Sequence, residues 1–140
     1  PMIFTKSIIN REPIKIFNKG EMSRDFTYID DIVEIIKKLI DKPPKVSDCN
    51  PKESVNSIKS NPFLIFNIGC SQRIKLLEFI KFLEDEIGIS SIKKYYPMQS
   101  GDVIDTFCDN TKIAKYTNYI PKITINEGIK KFVNWYKEYY

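Results

Sequence analysis

Apolar residues after Asp30 recur at the three- and four-residue intervals of one face of an α-helix. The positions on this face are Ile32, Ile35, Ile36, Leu39 and Ile40. Charged residues, among them Glu34 and Lys37, fall on the opposite face. The pattern predicts an amphipathic helix over residues 30–41 that ends before Pro43.

Shorter patterns before this helix predict further elements. Residues 1–10 have the apolar spacing of the tail of a helix, and we expect its beginning to lie outside the sequence; Pro13 ends it. A strand at 14–17, a turn at 18–21 and a returning strand from Met22 together predict a β-hairpin. Asp30 and Asp31 follow, where either carboxylate could cap the first turn of the helix.

The second half of the chain repeats the mixture of strands and helices. Residues 63–69 are a continuous apolar run, which predicts a strand covered on both faces. We expect helices over 76–87, closed by Gly88, and over 111–118, and a strand over 93–98. Thr124 and Glu127 have the spacing of a capping box at the start of a last helix.

Residues 43–62 separate the two halves. They are polar, rich in Lys, Ser, Asn and Pro, and without period, so we expect a long exposed loop that is an insertion. At 140 residues and 42% hydrophobic, the chain has the size and composition of one domain with a real core. The sequence therefore predicts a single α/β (mixed α+β) domain over 1–140, with an insertion at about 43–62.

Composition and charge exclude several classes of function. The formal net charge is +4, but the 22 Lys and Arg are interspersed with 18 Asp and Glu, and no basic block is dense enough to follow a nucleic acid backbone. No apolar run reaches the length of a membrane span, and the start has no signal-peptide form. We expect a cytoplasmic protein that binds neither nucleic acid nor membrane.

Residues that carry chemistry are sparse. Histidine is absent, and Cys49, Cys70 and Cys108 are far apart, which favours reduced thiols over a disulfide framework or a zinc site. The glycines are isolated, so no phosphate-binding glycine loop is present. Asp102, Asp105 and Asp109 are close enough in sequence to suggest a metal site, but their spacing is not that of a calcium loop. We interpret them as solvated loop carboxylates.

Arg24 is the residue that most needs an explanation. It stands at the start of a strand of β-branched and aromatic residues, where a guanidinium cannot be buried without an anionic partner. One interpretation is a surface ion pair with Asp25 or Glu21. The other is an anion site.

Four motifs together resemble a known family. They are EPIKIFNKGEMSRDFTYIDD at 12–31, FNIG at 66–69, MQSGDV at 98–103 with Asp109, and EGI at 127–129 with FVNWY at 132–136. This order is similar to the C-terminal part of an extended short-chain dehydrogenase/reductase of the NAD-dependent epimerase/dehydratase family. Within it, the sequence most resembles the UDP-glucuronate 4-epimerases of capsule and surface-polysaccharide synthesis.

The resemblance implies roles for particular residues. Arg24 would meet the pyrophosphate of a UDP-sugar, Lys15 and Phe17 would lie by the uracil, partly through their backbone, and Asp102 would accept from the ribose hydroxyls. Gln99 stands where galactose epimerases have a second phosphate-binding arginine. A glutamine at this position agrees with the glucuronate-type enzymes. It neutralises the phosphates less than the arginine of the galactose epimerases would, because it carries no charge.

The resemblance also implies what this chain lacks. The family binds NAD and places a Tyr-x-x-x-Lys pair on an N-terminal Rossmann half, and neither the pair nor the glycine turn is in the sequence. We therefore expect one substrate-binding lobe without a cofactor, inactive alone, whose partners are a UDP-sugar and the missing half; the parent enzyme would be a homodimer. Alternatives are a free-standing binding or regulatory module and the lobe of a 4,6-dehydratase.

Overall fold

The computed structural model describes residues 1–45, 48 and 62–140. Nearly all of the predicted loop at 43–62 thus lies outside the described residues. In chain order the described helices and strands are α1 (Met2–Ile9), β1 (Pro13–Phe17), β2 (Ser23–Asp25), α2 (Ile29–Asp41), β3 (Arg73–Lys75), α3 (Leu76–Ile87), β4 (Ile92–Tyr96), α4 (Thr111–Thr117) and α5 (Ile125–Tyr139).

The predicted helices are confirmed by the observed bounds. They could be predicted because the sequence signals of a helix act within a few residues. α3 ends at Gly88, whose φ of 80° is the left-handed cap conformation that glycine adopts without steric cost. α5 begins with the predicted capping box: Thr124 Oγ1 accepts from the Glu127 N–H at 3.3 Å, and Glu127 Oε2 accepts from the Thr124 N–H at 2.9 Å. These reciprocal bonds satisfy N–H groups that have no partner inside the helix.

The predicted hairpin is wrong. β1 pairs in parallel with β4, in the register Pro13↔Ile92 to Phe17↔Tyr96. β2 instead pairs antiparallel with β3, from Ser23↔Lys75 to Asp25↔Arg73. The turn between β1 and β2 contains Asn18 and Lys19 at φ 48° and 54°, and it leads the chain away from β1 instead of folding it back.

The predicted buried strand over 63–69 is also wrong. Residues 62–68 form no strand with any segment that the structure describes, and the Ile65 side chain is 74% exposed. Exposure alternates along 62–68, which is the pattern of an extended segment with one covered face. A continuous apolar run therefore indicated an extended segment here, but not the neighbours that would cover both of its faces.

The core joins α1, β1, α3 and α5. Its buried side chains are Ile8, Ile14, Ile16, Phe79, Ile80, Leu83, Ile129 and Val133. Phe26, which follows β2, stacks on Phe79 with ring centroids 4.5 Å apart. This contact fixes the chain immediately after Arg24 against the core.

Among the residues that the structure describes, α2 is covered on one side only. Ile35 is fully buried, but Ile29, Val33, Ile36 and Ile40 are 59%, 47%, 46% and 72% exposed. These four residues form a stripe along the helix, which we call the outer stripe of α2. Ile36 and Ile40 were predicted to lie on the buried apolar face of this helix, but both are exposed.

Asp31 clamps α2 to the chain before α5. The predicted cap hydrogen bond from Asp30 or Asp31 is wrong, because Tyr28 is the N-cap residue and the helix has no side-chain cap bond. Both carboxylates do lie in the first turn, where they oppose the positive end of the helix dipole as expected. Asp31 is 1% exposed, and its carboxylate accepts from Tyr119 Oη at 2.6 Å and from the N–H groups of Lys122 and Ile123 at 3.1 and 3.0 Å. Burial alone would raise the pKa of Asp31, but these hydrogen bonds outweigh it and hold the pKa below its usual 3.8.

Replacing Asp31 with Asn should destabilise the fold by about 1–3 kcal/mol, because an amide NH₂ would face one of these donors. The folded-state pKa lies below the unfolded one, so the carboxylate contributes its full stability above the unfolded pKa and loses it as the pH falls through the folded pKa. The difference between wild type and Asp31→Asn should therefore shrink in acid. Urea unfolding at a series of pH values measures it.

Asp30→Asn is the matched control. Asp30 is 60% exposed and pairs with Lys131 at 3.1 Å, so its loss should change the free energy of unfolding by less than about 1 kcal/mol. Equal effects of the two substitutions would contradict a buried clamp at Asp31.

Candidate ligand-binding site

β2, which contains Arg24, has a neighbour on each edge. β3 pairs with one edge, and residues 104–106 lie along the other through a parallel bridge between Ser23 and Asp105. The Ser23 N–H donates to the Ile104 carbonyl at 2.9 Å, and the Thr106 N–H donates to the Ser23 carbonyl at 3.2 Å. The strand is short, yet both edges are occupied at the residue before Arg24.

The Arg24 guanidinium is held by carbonyl groups. Its Nη1 donates to the carbonyls of Ser23 at 2.7 Å and Ile104 at 3.1 Å. No carboxylate among the described residues forms an ion pair with it, so the alternative of a pair with Asp25 or Glu21 is not what the structure contains. Nε and Nη2, which carry the remaining N–H donors, have no acceptor in the described part of the chain. The half-buried side chain thus presents one edge for an anion.

Asp25 fastens the next residues of the same segment. Its Oδ2 accepts from the Cys108 N–H at 3.0 Å, and its own N–H donates to Thr106 Oγ1 at 3.3 Å. Its Oδ1 is buried and has no hydrogen-bond partner among the described residues. Arg73, opposite Asp25 on β3, instead places its guanidinium over the Phe107 ring at 5.0 Å. Residues 104–108 are therefore attached to β2 at several successive positions.

The residues expected near uracil lie on β1. Phe17 is half-buried, and its ring centroid is 5.7 Å from that of Tyr96, the last residue of β4. Lys15 is exposed and stands opposite Lys94 in the sheet. Phe17 thus lies beside the residue that leads into the 98–103 motif, whereas no contact joins Lys15 to the other candidate residues.

Gln99 and Asp102 lie on an exposed turn. The Asp102 N–H donates to the Gln99 carbonyl at 3.2 Å, and both side chains face solvent. Two residues later, Ile104 supplies the carbonyl that Arg24 binds. Along the chain, the Asp102 turn thus lies between Tyr96, which contacts Phe17, and Ile104, which contacts Arg24. No hydrogen bond joins the candidate side chains to one another.

Sequence reasoning missed the residues that hold this arrangement. Ser23 Oγ donates to Asp105 Oδ1 at 2.5 Å, so Asp105 is exposed but not simply solvated. Asp109 makes a local bond, accepting from the Thr111 N–H at 2.9 Å. The described residues contain no cluster of three or more potential metal ligands. Ser23 and Asp105 are far apart in sequence, and only their contact in the fold shows that they act together. Neither residue type indicates such a contact by itself.

Two clefts are available near these residues. One, of about 540 Å³, is lined by the residues that hold Arg24 and by two cations of β3; its lining includes Ser23, Ile104, Asp105, Arg73 and Lys75. The other, of about 220 Å³, is apolar and lined by aromatic rings, including Phe26, Tyr28, Phe79 and Phe132. The first cleft contains charged groups of both signs, with Arg73 and Lys75 beside Glu21 and Asp105. None of the five candidate residues, Arg24, Lys15, Phe17, Gln99 and Asp102, lines either cleft.

The two cysteines that the structure describes, Cys70 and Cys108, are not activated as nucleophiles. Cys70 and Cys108 are free thiols, and burial, with a smaller contribution from the Asp25 carboxylate, raises the pKa of both. They stay protonated near neutral pH, where a thiol is a weak nucleophile. Cys49 lies outside the described residues.

Comparisons with known proteins agree with the motifs. A sequence model of the NAD dependent epimerase/dehydratase family matches residues 2–56. Protein CapI of Staphylococcus aureus is 38% identical over 98% of this chain and 41% of its own length. The probable UDP-glucuronate 4-epimerase of Rhizobium meliloti (strain 1021) is 37% identical, with the same coverage of 98% and 41%. The chain spans about two fifths of the length of these relatives.

Solved structures show the same fold. The UDP-glucose 4-epimerase of Thermotoga maritima with UDP-glucose aligns over 97% of this chain and 38% of its own, at a TM-score of 0.78 and 27% identity. The UDP-glucuronic acid 4-epimerase of Bacillus cereus with UDP-glucuronic acid and NAD aligns over 98% of this chain and 39% of its own, at a TM-score of 0.79 and 23% identity. This second match supports the fold alone.

The chain is thus a relative of the NAD-dependent epimerase/dehydratase family that corresponds to part of such a protein. Its homologues include UDP-glucuronate 4-epimerases. The family resemblance carried by the motifs is confirmed. Among the described helices, none is long and apolar enough to cross a membrane.

Gly69 should be essential for the packing of this region. A Cβ added there would lie 2.4 Å from Cys108 Cβ, and neighbouring bonds pin the two segments together: Asn110 Nδ2 donates to the Gly69 carbonyl at 2.9 Å and Ser71 Oγ to the Cys108 carbonyl at 2.7 Å. We expect Gly69→Ala to destabilise the protein by about 1–3 kcal/mol. Thermal and urea unfolding measure the change.

A double substitution tests the stated cause. Cys108→Gly removes the clashing Cβ and should recover part of the loss in Gly69→Ala. Cys108→Ala removes only Sγ, which would lie 2.8 Å from the added Cβ, and should recover less. Equal behaviour of the two double variants would show that another contact sets the requirement for glycine.

Proposed function

We propose that this chain is the C-terminal, substrate-binding lobe of an NAD-dependent UDP-sugar 4-epimerase that interconverts UDP-glucuronate and UDP-galacturonate in surface-polysaccharide synthesis. The observation that carries the proposal is the state of Arg24. Its Nη1 donates to two carbonyls, which fix the plane of the guanidinium. Nε and Nη2 lie in the same plane and have no acceptor among the described residues. A planar pair of donors matches the oxygens of a phosphate.

The other candidate residues support a nucleotide in this place. Asp102 is exposed on the turn that leads to the Ile104 carbonyl and would accept from ribose hydroxyls. Phe17, beside the start of the same loop, would lie along the uracil with Lys15 near it. Gln99 would contribute an amide donor but no charge, which leaves Arg24 as the main cation for the pyrophosphate.

The described residues do not fit an NAD site. Such a site uses a glycine-rich turn at a helix N-terminus, whereas the N-cap residues of the described helices are Pro1, Tyr28, Lys75, Asn110 and Thr124. We therefore assign this chain the binding and orientation of the nucleotide and no step of hydride transfer. In a complete enzyme, NAD and the catalytic residues would belong to a Rossmann half outside this sequence, and the complete enzyme would be a homodimer.

The outer stripe of α2 favours a lobe over a free-standing module. Four apolar side chains along one helix face are about half exposed or more, and an exposed stripe of this kind usually marks an interaction surface. The chain also matches only about two fifths of its relatives. We propose that a Rossmann half covers this stripe. A lobe of a sugar-nucleotide 4,6-dehydratase is the second candidate, because the motifs of this chain resemble both kinds of enzyme.

Arg24→Ala should weaken the binding of UDP by about ten- to a hundredfold, the scale of about 1.5–3 kcal/mol for a hydrogen bond to a charged group. Arg24→Lys should recover part of this loss, because an ammonium keeps the charge but not the planar donors. Titration of UDP followed by NMR measures the affinities, and melting curves should be little changed. Uridine, which has no phosphate, should bind all variants alike.

Arg11→Ala is the control for a general effect of charge, since Arg11 is exposed at the end of α1. Its UDP affinity should equal that of wild type. If wild type, Arg24→Ala and Arg24→Lys all bind UDP equally, Arg24 is not at the phosphate site and the proposal loses its main support.

The second experiment concerns the outer stripe. The lobe alone should self-associate through this surface, and Ile36→Lys with Ile40→Glu should reduce the association without changing net charge. Sedimentation velocity over a wide concentration range measures the effect. The matched control is Ile3→Lys with Ile120→Glu, at positions 79% and 62% exposed off this helix. A wild-type chain that stays monomeric throughout would favour the free-standing module.

A further inference from the structure

The orientation of Arg24 depends on the position of one carbonyl group. Ile104 O accepts from the Ser23 N–H at 2.9 Å and from Arg24 Nη1 at 3.1 Å. The same oxygen therefore joins the strand pairing to the guanidinium. If residue 104 moved away from β2, Arg24 would lose one of the two carbonyls that hold its plane.

Ile104 lies at the end of an exposed loop. Residues 97–105 are all exposed. Within this stretch, the Asp102 N–H donates to the Gln99 carbonyl and closes a turn. Such a loop has little packing of its own, so its attachment at the bridge to β2 determines where it lies. Ser23, by contrast, is only 7% exposed and belongs to the strand.

The side chains of Ser23 and Asp105 close this bridge. Ser23 Oγ donates to Asp105 Oδ1. A hydrogen bond to a carboxylate is stronger than one between two neutral groups. The bond runs beside the backbone bonds of Ser23 with Ile104 and Thr106.

We propose that Ser23 and Asp105 are positioning residues: their hydrogen bond holds Ile104 on β2 and so fixes Arg24 for the phosphates of a nucleoside diphosphate. The proposal rests on the proposed function. It assigns a role to two residues that touch no ligand, and it requires that their effect pass through Arg24.

Ser23→Ala removes the hydroxyl and keeps the charge of Asp105. It should lower the affinity for UDP about three- to tenfold, the effect of one hydrogen bond, and leave the affinity for uridine unchanged. Ser23→Thr keeps the hydroxyl on a strand-favouring residue and should restore the affinity. A loss for UDP and uridine alike, or no rescue by Thr, would overturn the proposal, because either result indicates a general structural effect.

Two substitutions of Asp105 can be compared with each other at the same net charge. Asp105→Asn and Asp105→Ala both remove the carboxylate charge, but only Asn keeps an oxygen that accepts from Ser23. Asn should therefore bind UDP more tightly than Ala. Asp109→Asn is the control, because Asp109 contacts Thr111 and not β2. Equal affinities of the Asn and Ala variants at 105 would overturn the role of the hydrogen bond.

Two further measurements separate this proposal from the proposed function. In the Arg24→Ala background, Ser23→Ala should have no additional effect on UDP affinity, and an additive loss would overturn the path through Arg24. NMR of the guanidinium nitrogens reads the orientation of Arg24 without ligand: restricted rotation in wild type should be lost in Ser23→Ala and kept in Ser23→Thr. Unchanged guanidinium signals would overturn positioning even if UDP binds, and an absence of UDP binding with changed signals would overturn only the proposed function.

Discussion

The pairing of β2 on both edges is the constraint on which the rest of the site depends. A strand of only Ser23–Asp25 has few backbone bonds, so each edge matters. β3 fixes one edge, and residues 104–106 fix the other across roughly eighty positions of sequence. Because both edges are occupied, Arg24 stands at the junction of three segments, and its guanidinium bonds to the backbone of two of them.

The chain after β2 is held equally firmly. Phe26 stacks on Phe79 of the core, and Asp31 in the first turn of α2 binds three donors from residues 119–123. The motif that contains Arg24 is therefore anchored at both ends, by strand pairing before it and by a buried carboxylate after it. An arginine placed in this way loses little further conformational freedom when it binds an anion.

The sequence predicted the helices well and the strand pairing poorly, for one physical reason. Period, the capping box at Thr124 and the glycine at 88 act within a few residues, so they can be read locally. The partner of a strand is set by distant residues: the turn at 18–21 suggested a hairpin, but β1 pairs with β4. The site divides in the same way. Arg24 was singled out because a guanidinium beside β-branched and aromatic residues needs an anionic partner, and the family resemblance supplied the phosphate as that partner. Ser23 and Asp105 acquire meaning only through each other.

Under the proposed function, the site binds an anion through preorganisation and not through net charge. The charge of +4 is spread over the chain, and Gln99 supplies no second cation beside Arg24. An arginine free in solvent would lose side-chain entropy on binding a phosphate, and that loss would offset much of the gain. Here two carbonyls already fix one end of the guanidinium, so its other edge can meet phosphate oxygens with little rearrangement. Under the proposed function, contacts that hold those carbonyls affect binding indirectly, through the orientation of Arg24.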